Sequence, residues 1–166
     1  GGFTYVRWVS GRQRAGCNYT NGANTGFQGI VADGAKEALW RVCVMAYLPP
    51  EDAVSVLWRP ADPDVYWGPG VTRDDVLAWA SAIYGIRPVL FIHDEIIAEG
   101  DEATAHLWAP AAARVMCEAM ATFIRDVKVT AAPALMYVWD KAAEPVYDAP
   151  EGAPNRKLLV WKPSPP

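Results

Sequence analysis

The sequence lacks the short signatures of several common enzyme classes. Its 166 residues include four serines and two histidines, with no Gly-x-Ser-x-Gly segment and no Gly-x-x-x-x-Gly-Lys phosphate loop. Cysteine is equally scarce, because Cys17, Cys43 and Cys117 are the only ones and no Cys-x-x-Cys pair occurs. Serine hydrolases, P-loop nucleotide hydrolases and paired-cysteine zinc or redox proteins therefore find no support, and we expect reduced, mostly buried thiols.

Long hydrophobic runs are also missing. The best of them, from Ala38 to Leu48, is interrupted by Arg41, and none approaches the roughly 18 residues that a membrane-spanning helix needs. The 13 glycines and 14 prolines are too few for a low-complexity chain. The length corresponds to one domain of about 100–200 residues. We therefore expect a single soluble domain over 1–166 that does not bind a membrane.

Acidic residues are absent from the first 32 positions. This segment contains Arg7, Arg12 and Arg14, so it carries +3, whereas the whole chain carries −4. The net charge alone disfavours a nucleic-acid protein, because phosphate binding usually requires a basic excess. The local excess nevertheless indicates that a polyanion could contact the N-terminal part.

The first half of the chain predicts a hairpin and a long helix. Strand-forming residues 3–9 and a turn-like Ser10-Gly11-Arg12 predict a hairpin arm within a basic segment over 1–24. Apolar residues at i, i+3 and i+4 predict a helix over 25–48, with Thr25 and Gln28 spaced as a capping box. Proline-rich residues 49–72 predict a loop or insertion that can hold a short strand at 54–58.

The second half, 73–140, predicts a second helix, a β-hairpin, a third helix and a strand. Thr72 and Asp75 have the spacing of a helix cap. Two apolar runs, 88–92 and 96–98, flank three polar residues and therefore predict a hairpin. A helix over 102–127 and a strand over 128–139 follow, and then a proline-rich tail over 141–166. Together these elements predict an α+β fold with antiparallel strands.

The polar tip of this hairpin, His93-Asp94-Glu95, is the strongest local anomaly. Neighbouring residues of a regular strand point to opposite faces, so both carboxylates can reach one cation only where the chain turns. Mg²⁺ prefers oxygen ligands and is often held by one or two carboxylates with substrate phosphates and water. The alternative is an ordinary exposed turn, in which Asp and Glu are common.

Three amide side chains precede the long helix or lie within it. If the helix extends upstream, Asn21, Asn24 and Gln28 share one edge, and their amide groups can donate to the acceptors of the DNA minor groove. Those acceptors are nearly the same for every base pair, which suits a protein that does not read sequence. The alternative interpretation is that Gln28 only completes a helix cap.

Three segments carry a resemblance through their order and spacing. They are Gly11-Arg12-Gln13-Arg14, then Asn24-Thr25-Gly26-Phe27-Gln28-Gly29-Ile30-Val31-Ala32-Asp33, then Phe91-Ile92-His93-Asp94-Glu95-Ile96-Ile97-Ala98-Glu99. Together they resemble the C-terminal polymerase region of family A DNA polymerases, the bacterial polymerase I and phage type. The third segment is similar to the family's palm carboxylate motif, and the resemblance covers nearly all of 3–140.

The resemblance implies a partial polymerase palm that synthesises DNA on a template. It assigns the metal-binding palm aspartate to Asp94 and the second carboxylate, at the primer terminus, to Glu95. His93 would contact the primer end, and the amides of Asn24 and Gln28 the minor groove. Arg12 and Arg14 would lie near the nucleic-acid backbone. Two Mg²⁺ ions, primer–template DNA and deoxynucleoside triphosphates are the implied cofactors and partners, in the cytoplasm of a bacterium or of a phage-infected host.

Two parts that such a polymerase needs do not occur in this sequence. They are an earlier palm aspartate and a fingers helix whose Arg and Lys bind the triphosphate, and the chain begins after the place where both belong. We therefore expect it to polymerise only with a second chain that supplies them. The alternatives are a noncatalytic nucleic-acid-binding or assembly module with a degenerate palm, and an unrelated Mg²⁺-dependent phosphohydrolase that uses Asp94 and Glu95.

Overall fold

The computed structural model describes residues 3–6, 11–58 and 66–163 of the protein. Within these residues the chain is mixed α+β, as the sequence predicts. A 3-10 turn, Glu102–Thr104, leads into the last helix, which tolerates Pro110 in its interior. The helices are α1 (Tyr19–Tyr47), α2 (Pro50–Leu57), α3 (Arg73–Ile83) and α4 (Ala105–Ala121).

The strands form three separate two-stranded antiparallel sheets within the described residues. The second of them confirms the predicted hairpin around the polar tip. The first confirms the predicted hairpin arm over Phe3–Val6, and residues 7–10 of that prediction lie outside the described residues. The pairs are β1 (Phe3–Val6) with β2 (Gln13–Cys17), β3 (Arg87–Ile92) with β4 (Glu95–Glu99), and β5 (Val146–Tyr147) with β6 (Leu158–Leu159).

The four helices enclose one main apolar core. The side chain of Trp67, fully buried, lies within it and donates a hydrogen bond from Nε1 to the carbonyl oxygen of Leu57 at 3.1 Å. Burying such side chains is the main favourable contribution to folding. The other large, fully buried apolar residues among those described are Met45, Leu57, Ile83, Val42, Val54, Val76 and Val115.

A buried polar cluster ties α1 to the end of α4. Arg41 has no solvent exposure, and it donates from Nε to Glu37 Oε1 and from Nη2 to Thr122 Oγ1, each at 3.0 Å. The Tyr66 hydroxyl donates to the same Glu37 oxygen at 2.6 Å. Burial, together with this bond, raises the pKa of Tyr66 to about 12, so the phenol remains a donor at neutral pH. The cluster therefore fixes where α4 ends.

Helix α1 begins earlier than the sequence pattern predicts. Its cap is Asn18, whose side chain accepts a hydrogen bond from the backbone N–H of Asn21 at 2.8 Å. Thr25 lies inside the helix and donates to the carbonyl oxygen of Asn21 at 2.6 Å. The predicted capping box at Thr25 and Gln28 is therefore wrong. Because the helix extends upstream to Tyr19, Asn21, Asn24 and Gln28 lie along one helix edge.

Two further predictions of local structure are wrong. Residues 54–58 form no strand, because Pro50 opens α2 and the acidic Glu51 and Asp52 suit the positive end of a helix. Residues 128–139 form no strand either, apart from one bridge between Leu135 and Val160. Tyr137 and Trp139 in this segment donate side-chain hydrogen bonds to Glu102 and Glu95 instead of pairing along a sheet.

The remaining differences concern the ends of the predicted elements. Helix α4 ends at Ala121, so residues 122–127 leave the helix that the sequence predicts there. The predicted tail contains β5 and β6, and residues 59–65 of the predicted insertion lie outside the described residues.

All three cysteines are free: Cys17 is buried and the other two are partly buried, as expected. No helix in the described part of the chain has the length and apolar character that crossing a membrane requires.

Candidate active site

The tip of the β3–β4 hairpin is a two-residue turn. Ile92 pairs with Glu95, so His93 and Asp94 alone connect the strands, whereas the sequence pattern predicts three residues at the tip. His93 has a φ of 56°, in the left-handed region that favours glycine. This conformation costs a residue with a Cβ about 1–2 kcal/mol. The hairpin therefore carries an exposed imidazole at a position where glycine would be less strained.

Three walls form an open groove of about 840 Å³ beside this turn. The first is a stretch of α1 that includes Gln28, the second is the turn itself, and the third is the segment Phe123–Val127. The structure thus brings Gln28, His93 and Asp94 to one site, although the first is far from the other two in sequence. Both carboxylates that line the groove, those of Asp94 and Asp126, belong to exposed residues.

Glu95 does not share this groove with its neighbour. It is the first residue of β4, and its Oε1 accepts a hydrogen bond from the indole Nε1 of Trp139 at 3.3 Å. Asp94 lies in the turn and Glu95 begins the strand, so the two adjacent carboxylates are placed by different parts of the hairpin. The hydrogen bond from Trp139 therefore restrains a carboxylate that does not line the groove.

The groove offers few ligands for a metal ion. In the described ranges, no three His, Cys, Asp or Glu side chains come together in a way that could hold one. Asp94 still fits a Mg²⁺ site, because this ion often uses only one or two protein carboxylates and takes its other ligands from phosphates and water. The other carboxylate that lines the groove is that of Asp126, and any further one would have to come from another chain.

The amide row on α1 reaches the groove at one end. Asn21, Asn24 and Gln28 are all exposed, and their spacing places them along one edge of the helix. Of these three, only Gln28 lines the groove. Asn24 lies one turn closer to the helix N-terminus, so the row leads from the groove along α1.

Arg12 and Arg14 contact α1 instead of the groove. Arg12 Nε lies 3.4 Å from Oδ1 of the buried Asp33, and Arg14 Nη1 donates to Thr25 Oγ1 at 3.1 Å. About half of the Arg12 side chain remains accessible, at 49%. These contacts attach the β1–β2 hairpin to α1, and binding of either residue to a nucleic-acid backbone stays a prediction.

The sequence pattern missed the third wall of the groove. It placed Phe123–Val127 inside the last helix, where Arg125 and Asp126 would be ordinary surface residues. In the structure the segment leaves the helix and lines the same groove as Gln28 and Asp94. The only sign of this in the sequence was that Arg125 and Asp126 interrupt the spacing of apolar residues in the predicted helix.

Comparison with protein-family profiles, with curated proteins and with solved structures finds no match to this chain. Its class is therefore defined by its own architecture, a mixed α+β protein with small antiparallel sheets.

Proposed function

We propose that this chain is the C-terminal subunit of a DNA-directed DNA polymerase. In this proposal it supplies the second palm carboxylate motif and the minor-groove contacts, and a second chain supplies the first palm aspartate and the fingers. The observation that carries the proposal is the groove shared by Gln28, His93 and Asp94. A chance likeness of short segments would not require these residues to meet.

Asp94 is the metal-binding carboxylate of the proposed site. It is exposed at a turn whose geometry is fixed by β3 and β4, so incoming ligands can reach it. Glu95 is the second carboxylate near the primer terminus, and Trp139 holds it in place. Two Mg²⁺ ions, when bound, supply the Lewis acidity that favours in-line displacement at the α-phosphate.

Gln28, Asn24 and His93 form the proposed contact to duplex DNA. Their side-chain N–H groups are donors suited to the minor-groove acceptors, which barely differ among base pairs. Arg12 and Arg14, on the adjacent hairpin, lie near the backbone in this arrangement. A surface of this kind senses duplex geometry and not sequence, as template-directed synthesis requires.

The free edge of the β3–β4 hairpin supports a partner chain. Neither strand pairs with a third strand within the described residues, and β3 exposes Val89 and Leu90 by about half. Isolated two-stranded sheets are marginally stable, and exposed apolar edges attract further strands. We place the partner's strand against β3, where it would bring the missing aspartate close to Asp94.

The second candidate is a noncatalytic module that binds nucleic acid or assists assembly. Such a module needs no metal, and the exposed amides of Asn24 and Gln28 could serve it alone. A phosphohydrolase that uses Asp94 and Glu95 is the third. It would hydrolyse nucleoside triphosphates without a primer, which the polymerase would not.

The proposal is tested by purifying the chain from its source under native conditions and assaying what co-purifies for primer extension with Mg²⁺. We expect extension that depends on a second chain and falls at least about a hundredfold in Asp94→Asn. Asp74→Asn is the matched control, because it removes the same charge from the exposed first turn of α3. Extension that survives Asp94→Asn, or a preparation with neither partner nor extension, would overturn the proposal.

A further inference from the structure

The third wall of the groove places an unused cation beside the proposed site. Arg125 lines the groove together with Gln28, His93 and Asp94, and it is exposed. None of the ion pairs among the described residues involves it. It differs in this respect from Arg12, which already contacts Asp33.

The segment that carries Arg125 is held by the buried cluster. Thr122, directly after α4, accepts a hydrogen bond from Arg41 and lies 3.0 Å from the carbonyl oxygen of Tyr66, to which its hydroxyl can donate. The next two backbone N–H groups, of Phe123 and Ile124, both donate to the carbonyl oxygen of Met120, at 3.0 and 2.9 Å. The chain therefore leaves the helix at a fixed point and enters the groove wall from there.

The charges of the groove require a cation if it is to bind a polyanion. Its acidic residues are Asp94 and Asp126, and Arg125 is the one arginine or lysine among the described residues of the lining. A guanidinium is always protonated and binds phosphate oxygens through two parallel N–H donors. The apolar residues Phe123, Ile124 and Val127 on the same wall provide a surface suited to the sugar rings of a bound strand.

We propose that Arg125 binds a backbone phosphate of the duplex whose minor groove faces Gln28, with the segment Phe123–Val127 as the opposite wall of the DNA site. This inference rests on the proposed function and adds a contact that the family resemblance does not assign. Gln28 and Arg125 then bind the duplex from two sides, one at the base edges and one at the backbone.

The test measures binding of the full chain to a fluorescent primer–template duplex by anisotropy over a range of salt concentrations, without Mg²⁺. We expect Arg125→Ala to weaken binding roughly three- to tenfold at low salt, because a charged hydrogen bond is lost. The slope of log K against log salt should become shallower by about one, since one phosphate contact is lost. Arg125→Lys should restore the slope and only part of the affinity.

Arg87→Ala is the matched control, because it removes an exposed arginine from β3. Arg87 lies at the end of the β3–β4 hairpin that is farther from the turn at His93 and Asp94. It should change neither affinity nor slope beyond the general loss of one surface charge. Arg125 is exposed, so its variants should fold, and thermal unfolding of each verifies this.

Failure of this inference is separable from failure of the proposed function. If the wild type binds duplex and Arg125→Ala matches Arg87→Ala in slope, the Arg125 site is wrong, whatever the extension assay gives. If Arg125→Ala loses the contact while the wild type never extends a primer, the phosphate site stands and the noncatalytic module replaces the polymerase. If the wild type binds no duplex, the Arg125 site is wrong, and the primer-extension assay of the complex alone decides the proposed function.

Discussion

At the tip of the β3–β4 hairpin, His93 pairs an exposed imidazole with a backbone angle that disfavours any Cβ. Two-residue hairpin turns usually meet this demand with glycine or asparagine. Residues held in such conformations concentrate at functional sites, where the side chain offsets the cost. We infer that the imidazole of His93 is retained for its contact in the groove and not for the stability of the hairpin.

Replacing His93 separates these two contributions. His93→Gly and His93→Ala both remove the imidazole, but only alanine keeps a Cβ at φ 56°. We expect His93→Gly to be the more stable variant by about 1 kcal/mol, as measured by urea unfolding. Both should bind primer–template duplex equally weakly. Equal stability of the two variants would show that the turn is not strained as described.

Trp139 does not line the groove, and in the proposed site it acts through Glu95. Trp139→Phe keeps the aromatic ring and removes the N–H that donates to Glu95 Oε1. We expect primer extension by the complex to fall roughly threefold, the effect of one weak hydrogen bond, with duplex affinity unchanged. In a Glu95→Gln background the same substitution should have a smaller effect. A loss of duplex affinity would instead indicate a structural role for the indole.

At the scale of elements, the position of α4 relative to α1 depends on one buried arginine. Arg41→Met keeps an unbranched side chain but leaves the Glu37 carboxylate without its ion-pair partner, and it removes the donor to Thr122. Breaking one partner of a buried pair typically costs about 3–5 kcal/mol, and the 23% exposure of the Glu37 side chain places this pair at the lower end. We expect a decrease of that size in the free energy of unfolding, measured by chemical denaturation.

Arg87→Ala serves as the control for this substitution too. Its pair with Glu99 is exposed, with 71% and 60% of the two side chains accessible, so its loss should cost less than about 1 kcal/mol. If Arg41→Met were as mild as Arg87→Ala, the buried cluster would not be what fixes the end of α4.

The sequence predicts those elements whose signal is local. The Thr72–Asp75 capping box and the hairpin over 87–99 are found, because caps and alternating apolar runs act over a few residues. The start of α1 was missed, because both Asn18 and Thr25 can cap a helix at this place in the sequence. In the structure Asn18 is the cap. The predicted strand over 128–139 also fails, because tertiary contacts decide its conformation.

The same distinction applies to the candidate site. Gln28, His93 and Asp94 were singled out from residue types and from the resemblance, and the structure brings them together. The sequence did not single out Arg125, because its place in the groove depends on where α4 ends. The buried contact between Arg41 and Thr122, which are distant in sequence, decides where the helix ends. Trp139 was missed for a similar reason, since nothing in the sequence relates it to Glu95.

At the scale of the whole molecule, the exposed edge of β3 should be the binding surface for the second chain. Leu90→Lys places a charge on this edge, where Leu90 is already about half exposed. We expect it to weaken association with the partner roughly tenfold or more, because the apolar area of one leucine is no longer buried. The free energy of unfolding of the isolated chain should barely change.

Val56→Lys is the control for that association measurement. Val56 lies on α2 and is exposed to a similar degree, 45% against 49% for Leu90. If both lysine variants weaken association equally, the partner does not bind specifically at β3, and a strand added to this edge is the wrong arrangement.

The most direct measurement is a parallel assay of primer extension and duplex binding for the wild type and Asp94→Asn in complex with the second chain. If Asp94 is the metal-binding carboxylate, the variant loses Mg²⁺-dependent extension by at least about a hundredfold and still binds primer–template DNA. Full extension by Asp94→Asn would contradict the account, because the groove beside the β3–β4 turn would then not be the site of synthesis.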